Sequence, residues 1–195
     1  IPSVAVPFSG SPGGIASYEI AMTQFQQQLH SELPPTTVWG YGGTYPGPTI
    51  EAGSGLPITV TWQNDLRDEQ QNLLQSHYLP VDLCPHGVLN DDPRTVVHLH
   101  GGHVPADVDG YPEDTFLPGS QVVYDYPNTQ DASTLWYHDH ALGITRLNVY
   151  MGLAGFYIVR DAFEQSLNLP TGQYEIPLAI QDRSFNADGS LFYPD

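Results

Sequence analysis

The chain has eight histidines, and four of them fall in two short stretches, His98-Leu99-His100-Gly101 and His138-Asp139-His140. In each stretch the histidines are spaced i, i+2. On a β-strand that spacing puts both imidazoles on one face, roughly 6.6 Å apart along the chain. Neutral imidazole is the commonest protein ligand for transition metals and suits copper, zinc and iron. If the two strand ends lie side by side, four imidazoles converge. The first expectation is therefore a transition-metal site made of His98, His100, His138 and His140. Spacing alone leaves the metal open, because His-x-His on a strand also serves zinc.

Such a site needs strands to deliver it. Residues 95–100 and 133–140 read as two of them, each ending in a histidine pair. Residues 17–25 alternate Tyr18, Ile20 and Met22 against polar neighbours, and 58–63 place Ile58, Val60 and Trp62 on one face. Further strand-like runs lie at 37–41, 49–52, 121–126, 153–160 and 174–181. Residues 141–150 are the one short helical candidate. Gly42-Gly43, Pro46-Gly47-Pro48 and Gly53-Ser54-Gly55 punctuate the strands with turns. Residues 1–16, rich in Pro, Gly and Ser, read as an extended arm. Residues 64–93 are polar and irregular, a long insertion of the kind that is functional or mobile in compact domains. Many short strands with little helix predict an all-β, antiparallel sandwich.

The 195 residues suit one domain of ordinary size. Twenty-two acids face five arginines and no lysine, giving a net charge of −17. That balance argues against nucleic acid, whose phosphates it would repel, and against anionic membrane surfaces. It favours solubility and attracts cations. It fits a secreted protein from an acidic or high-salt medium. The single Cys84 allows no internal disulfide. The chain starts at Ile1 without a leader pattern, so the expectation is a leader already removed or a trimmed N-terminus.

The two histidine motifs, about forty residues apart, resemble the first two copper motifs of the multicopper oxidases. Further stretches are similar to the group of the bacterial spore-coat laccase, phenoxazinone synthase and bilirubin oxidase. They include Pro46-Gly47-Pro48-Thr49-Ile50-Glu51, Asp109-Gly110-Tyr111-Pro112, Trp136-Tyr137-His138-Asp139-His140, Arg146-Leu147-Asn148-Val149-Tyr150 and Asp188-Gly189-Ser190-Leu191-Phe192-Tyr193. The resemblance covers residues 17–195. It implies a cupredoxin-like Greek-key β-sandwich, the first domain of a longer enzyme, with one short helix and the insertion at about 64–93.

The resemblance also implies a trinuclear copper cluster at which dioxygen is reduced to water while phenols, aromatic amines or metal ions are oxidised. Carried over by position, His98 would bind the type 2 copper. His100 and His138 would bind one type 3 copper, and His140 the other. Asp109 falls where an acidic residue near the cluster assists proton delivery. Gly101 and Gly102 would let the backbone leave the strand tightly after His100. The chain lacks the family's later His-Cys-His segment, so it holds half of the cluster's ligands and none for the type 1 copper. The missing part, later cupredoxin domains, would come from a second polypeptide or a cleaved remainder of the same chain. The chain alone is then expected to be inactive. A secreted location follows, with a spore coat among the settings the resemblance allows. Two other readings stand beside this one: a copper-binding or structural β-domain without catalysis, and a zinc hydrolase-type site using three of the four histidines.

Other residues have plainer readings. His77, Cys84 and His86 have the residue types of a blue copper site, but they stand in the irregular insertion. His103 reads as exposed or adjacent to the metal region, and His30 as a surface residue. Asp109 could simply cap the turn before Gly110. Trp136 and Tyr137 read as core, and Arg146 as half of a structural ion pair.

Overall fold

A computed structural model describes residues 2–7 and 15–194. Eight strands form two four-stranded sheets. The first runs β2 (Thr36–Tyr41), β1 (Ala16–Gln27), β4 (Ile58–Asn64), β6 (Gln121–Tyr126). The second runs β3 (Gly47–Gly53), β8 (Ala154–Arg160), β7 (Ser133–Asp139), β5 (Val97–His100). The sandwich is not purely antiparallel. β1 bends, pairing parallel with β4 through Met22 and antiparallel with β2 beyond it, and β3 pairs parallel with β8.

Strict alternation builds the core. In β4, Ile58, Val60 and Trp62 are buried while Thr59, Thr61 and Gln63 are only partly covered. Trp39, Tyr41, Trp62, Tyr126, Tyr137 and Tyr157 are fully buried between the sheets. Tyr41 packs edge-on against Trp62 and Tyr137, with ring centroids 5.4 and 4.9 Å apart. Buried aromatic hydroxyls need partners. Tyr137 donates to the Pro48 carbonyl and Tyr157 to Asn128 Oδ1, each at 2.6 Å.

The described part of the N-terminal arm is an added parallel rung on β3, with Ala5 donating to Thr49 O and Thr49 to Ser3 O. Residues 8–14 of the arm lie outside the described residues, and Ala16 already belongs to β1. The helix α1 is Thr145–Met151, shorter than the 141–150 pattern, because 141–144 form a turn that leads into it. A second helix, α2 (Ala162–Ser166), was not expected. Its signal is Asp161-x-x-Glu164, in which the Asp161 side chain accepts from Glu164 N at 2.7 Å.

The expected strand at 174–181 does not form. Its alternating Ile176, Leu178 and Ile180 are exposed, and no strand pairs with them among the described residues. An apolar alternation becomes a strand only where a neighbour supplies the ladder, and Pro177 has no N–H to give one. Among the described residues, no helix is long and apolar enough to cross a membrane.

The insertion is anchored rather than loose. Leu66, Leu79 and Val88 enter the core. His77 is buried against Trp39, ring centroids 4.6 Å apart. Leu79 N–H donates to His77 Nδ1 at 2.9 Å, so the ring's proton sits on Nε2, which donates to Asn148 Oδ1 at 3.0 Å. Burial holds the His77 imidazole down at about 4, against 6.5 in the open chain. Between those pH values the unfolded chain binds a proton that the folded chain refuses. The stability contributed by the neutral ring is therefore complete above about pH 6.5 and is lost as pH falls towards 4. Urea denaturation of His77→Gln across this window should lack this part of the acid limb, a difference on the order of 3 kcal/mol from the full shift. An acid limb identical in wild type and variant contradicts the assignment.

Candidate metal centre

Alternation along β5 and β7 decides where the histidines go. Val97, Leu99, Leu135, Tyr137 and Asp139 are buried on the core side. His98, His100, Trp136 and His138 therefore project from the other face of the same sheet. β5 and β7 are antiparallel neighbours with His98 opposite His138 and His100 opposite Trp136. His140 follows one step past the end of β7, on the same side as His138.

The four rings meet. Centroids are 5.6 Å apart for His98–His100, 5.5 Å for His98–His138, 4.8 Å for His98–His140 and 5.7 Å for His138–His140. His98, His100 and His138 each offer a ligand nitrogen, all within 4.8 Å of one another. They are the one group of three or more metal-ligating side chains so arranged among the described residues.

Backbone carbonyls orient two of the rings. His98 Nδ1–H donates to the Asp109 carbonyl at 2.5 Å, and His138 Nδ1–H to the Asp139 carbonyl at 2.6 Å. Each bond fixes the tautomer in which Nε2 carries the lone pair, the arrangement a metal requires. His138 Nε2 faces His100 Nδ1 at 3.2 Å. His140 Nδ1 is buried with no hydrogen-bond partner. An orphaned buried nitrogen costs about 1–3 kcal/mol and calls for an electrophile or a donor. Burial holds the His138 imidazole down at about 4, the neighbouring imidazoles adding to the effect although its bond to the Asp139 carbonyl opposes it. Burial and His98 lower His140 as well. Both rings are therefore neutral and metal-competent at neutral pH. The donor set and the orphaned nitrogen fit transition-metal ions.

Behind the rings lies Asp139, fully buried between the two histidines of its own motif. Its Oδ1 accepts from Val96 N–H and its Oδ2 from Ala141 N–H, each at 3.0 Å. His140 N–H in turn donates to Val96 O at 2.8 Å. The carboxylate thus ties the approach to β5 to the exit from β7. Burial raises it to about 7, despite the amides that favour its charge.

The comparisons with known proteins bear directly on this face. The family model described as multicopper oxidase matches residues 22–82 and 88–164. This chain belongs to the multicopper oxidase family. A laccase of Bacillus stratosphericus is 50% identical over 100% of this chain and 38% of its own length. A laccase of Bacillus subtilis is 48% identical over 91% of this chain and 36% of its own length. The crystal structure of a laccase from Pediococcus acidilactici matches with a TM-score of 0.79 at 25% identity, covering 99% of this chain and 36% of that one. The chain thus spans little more than a third of these relatives. Family membership implies copper as the metal of the protein, and the cupredoxin-type sandwich agrees with the solved neighbours.

The other candidate residues separate clearly. Asp109 lies beside the rings, its Oδ1 3.3 Å from His98 Nδ1 and its side chain about half exposed. His77 is buried, whereas Cys84 and His86 are exposed, so these three do not form a blue copper site. His103 is exposed and bonds with Thr129 and Gln130. His30 is exposed. Arg146 makes no ion pair among the described residues and donates to the Tyr193 hydroxyl at 3.0 Å. Tyr137 is core, but Trp136 is not. Its indole is 37% exposed and stacks on His138 with centroids 4.0 Å apart. Its place opposite His100 in the ladder was implicit in the strand alternation, which puts Trp136 with the histidines and Tyr137 with the core.

Two glycines shape the turns around the site. Gly101 ends β5 at φ 83°, as expected. Gly110 lies at φ 78°, and a Cβ there would stand 2.1 Å from Val97 O. Only glycine fits, and it fixes Asp109 against His98. Gly110→Ala should lower stability by about 1–3 kcal/mol, judged from the strained backbone alone, and the clash should push Asp109 away from His98. Urea denaturation and a crystal structure of the variant check this. Wild-type stability with an unmoved Asp109 contradicts it.

Proposed function

We propose that this chain is the first cupredoxin domain of a laccase-like oxidase and holds half of a trinuclear copper cluster. The observation that carries the reading is the convergence of His98, His100, His138 and His140 on one sheet face. The resemblance assigns His98 to the type 2 copper, His100 and His138 to one type 3 copper, and His140 to the other. Copper bound there would supply the one-electron steps by which dioxygen is reduced to water. The protein's own residues do the rest. The Asp109 and Asp139 carbonyls hold two imidazoles in their ligating tautomers. Trp136 covers one side of His138 and limits the approach of water. The Asp109 carboxylate, half exposed beside His98, moves protons between solvent and the cluster region.

The remaining ligands, the type 1 copper and the reducing-substrate pocket would come from further cupredoxin domains, either downstream or on a partner chain. The length of the relatives supports this. So does an apolar groove of about 310 Å³ beside the rings, lined by Tyr45, Trp136, Val149, Phe156 and Ile180. Ile180, which lines it, is exposed along with Ile176 and Leu178. Phenols, aromatic amines or metal ions are the reducing substrates this reading expects. The acidic surface suits an extracellular or high-salt setting, a spore coat included.

The full-length protein should bind about four coppers by metal analysis, show a blue thiolate band, and consume dioxygen with a phenol. Residues 1–195 alone should do neither of the last two. An isolated chain that oxidises a phenol with oxygen uptake contradicts the reading, as does full-length protein that selects zinc. Asp109→Asn in the full-length protein should keep its copper and lose roughly 100-fold in turnover, the scale of general acid catalysis. Unchanged turnover across the pH range would leave Asp109 only its place in the turn.

A further inference from the structure

The insertion that carries His77 packs behind the metal centre. His77 Nε2–H donates to Asn148 Oδ1, as described above. Asn148 sits in α1, fully buried, and its Nδ2 donates to the Arg94 carbonyl at 3.0 Å. Arg94 precedes the segment that becomes β5. The Asn148 backbone carbonyl accepts from Leu153 N–H, and Leu153 O accepts from Asp139 N–H. One residue thus links the insertion, the approach to His98 and His100 and, through Leu153, the backbone between His138 and His140.

The donors and acceptors allow one arrangement. Arg94 O accepts from Asn148 Nδ2, which turns the Asn148 oxygen to His77 and places a ring proton on Nε2, while Nδ1 accepts from Leu79 N–H at 2.9 Å and lies 3.2 Å from Leu79 O. That proton meets the oxygen of Asn148, and the nitrogen of Asn148 faces Arg94 O. A flipped amide would oppose donor to donor at His77 and acceptor to acceptor at Arg94. In a fully buried network each such mismatch is costly.

We propose that His77 and Asn148 are positioning residues for the copper centre, holding the two histidine-bearing strands in register through the Arg94 carbonyl and through Leu153, which joins the backbones of Asn148 and Asp139. The inference rests on the copper reading above. It gives the long insertion a role: it delivers the His77 proton that meets the Asn148 amide. Residues supporting metal ligands typically change metal affinity by about 10–100-fold when replaced.

The test uses the full-length protein. His77→Phe keeps a ring against Trp39 and removes both nitrogens. His77→Gln keeps a side-chain N–H for Asn148. Copper affinity is measured by competition with a chelator, and the copper environment by electron paramagnetic resonance. His77→Phe should weaken copper binding about 10–100-fold and alter the spectrum, and His77→Gln should recover most of both. If His77→Phe fails to fold, Asn148→Ser, which loses the amide donors but keeps an acceptor for His77, should show the same loss. A folded variant of either kind with wild-type affinity and spectrum overturns the inference, since a merely structural role would lower stability alone. Wild-type protein that takes up no copper overturns the copper reading itself, and this inference with it.

Discussion

The antiparallel register of β5 against β7 sets His98 opposite His138, and the rest of the metal centre follows from that pairing. Side chains alternate across a strand, so a slip of one residue would turn the histidines into the core and bring Leu99 and Tyr137 out to the surface. Two opposed requirements meet on this sheet. One face must be apolar enough to close the sandwich, and the other must keep four imidazoles neutral and close together. The Tyr41, Trp62 and Tyr137 cluster satisfies the first. Neighbouring like groups and burial satisfy the second by holding His138 and His140 uncharged.

Asp139 stands at the junction of the two faces. A buried carboxylate is unfavourable unless its oxygens are satisfied. Here the satisfying donors come from the backbone on both sides of the site, Val96 and Ala141. The geometry that stabilises the carboxylate is the same geometry that holds the ligand strands together. Removing the side chain would therefore release two backbone N–H groups and a strand junction at once. The bracing continues through Asn148 to His77, which makes the insertion a structural support of the centre rather than a flexible appendage.

Much of this was legible in the sequence, for reasons that can be named. The His-x-His motifs sit on strands whose apolar alternation is regular, so their common face could be read directly. The strands at Gln121–Tyr126 and Ile58–Asn64 show the same regularity. What the sequence hid depended on partners distant in the chain. Residues 174–181 carry a strand's alternation, but no strand pairs with them among the described residues. His77 looks like a candidate ligand until Trp39 and Asn148 are seen packed around it. Nothing in the sequence shows that the Asp139 oxygens serve the backbone at Val96 and Ala141. Trp136 and Tyr137 are adjacent aromatics, and only their opposite faces distinguish a cover for His138 from a core residue.

The central claim is that the outer face of β5 and β7 is half of a copper cluster completed from outside this chain. Anomalous diffraction at the copper edge, on crystals of the full-length protein, tests it most directly. The account predicts copper peaks within bonding distance of His98, His100, His138 and His140, with the remaining ligands supplied by residues beyond this domain. Copper bound elsewhere while these four rings stay free would contradict it, as would a single metal closed off by these histidines alone.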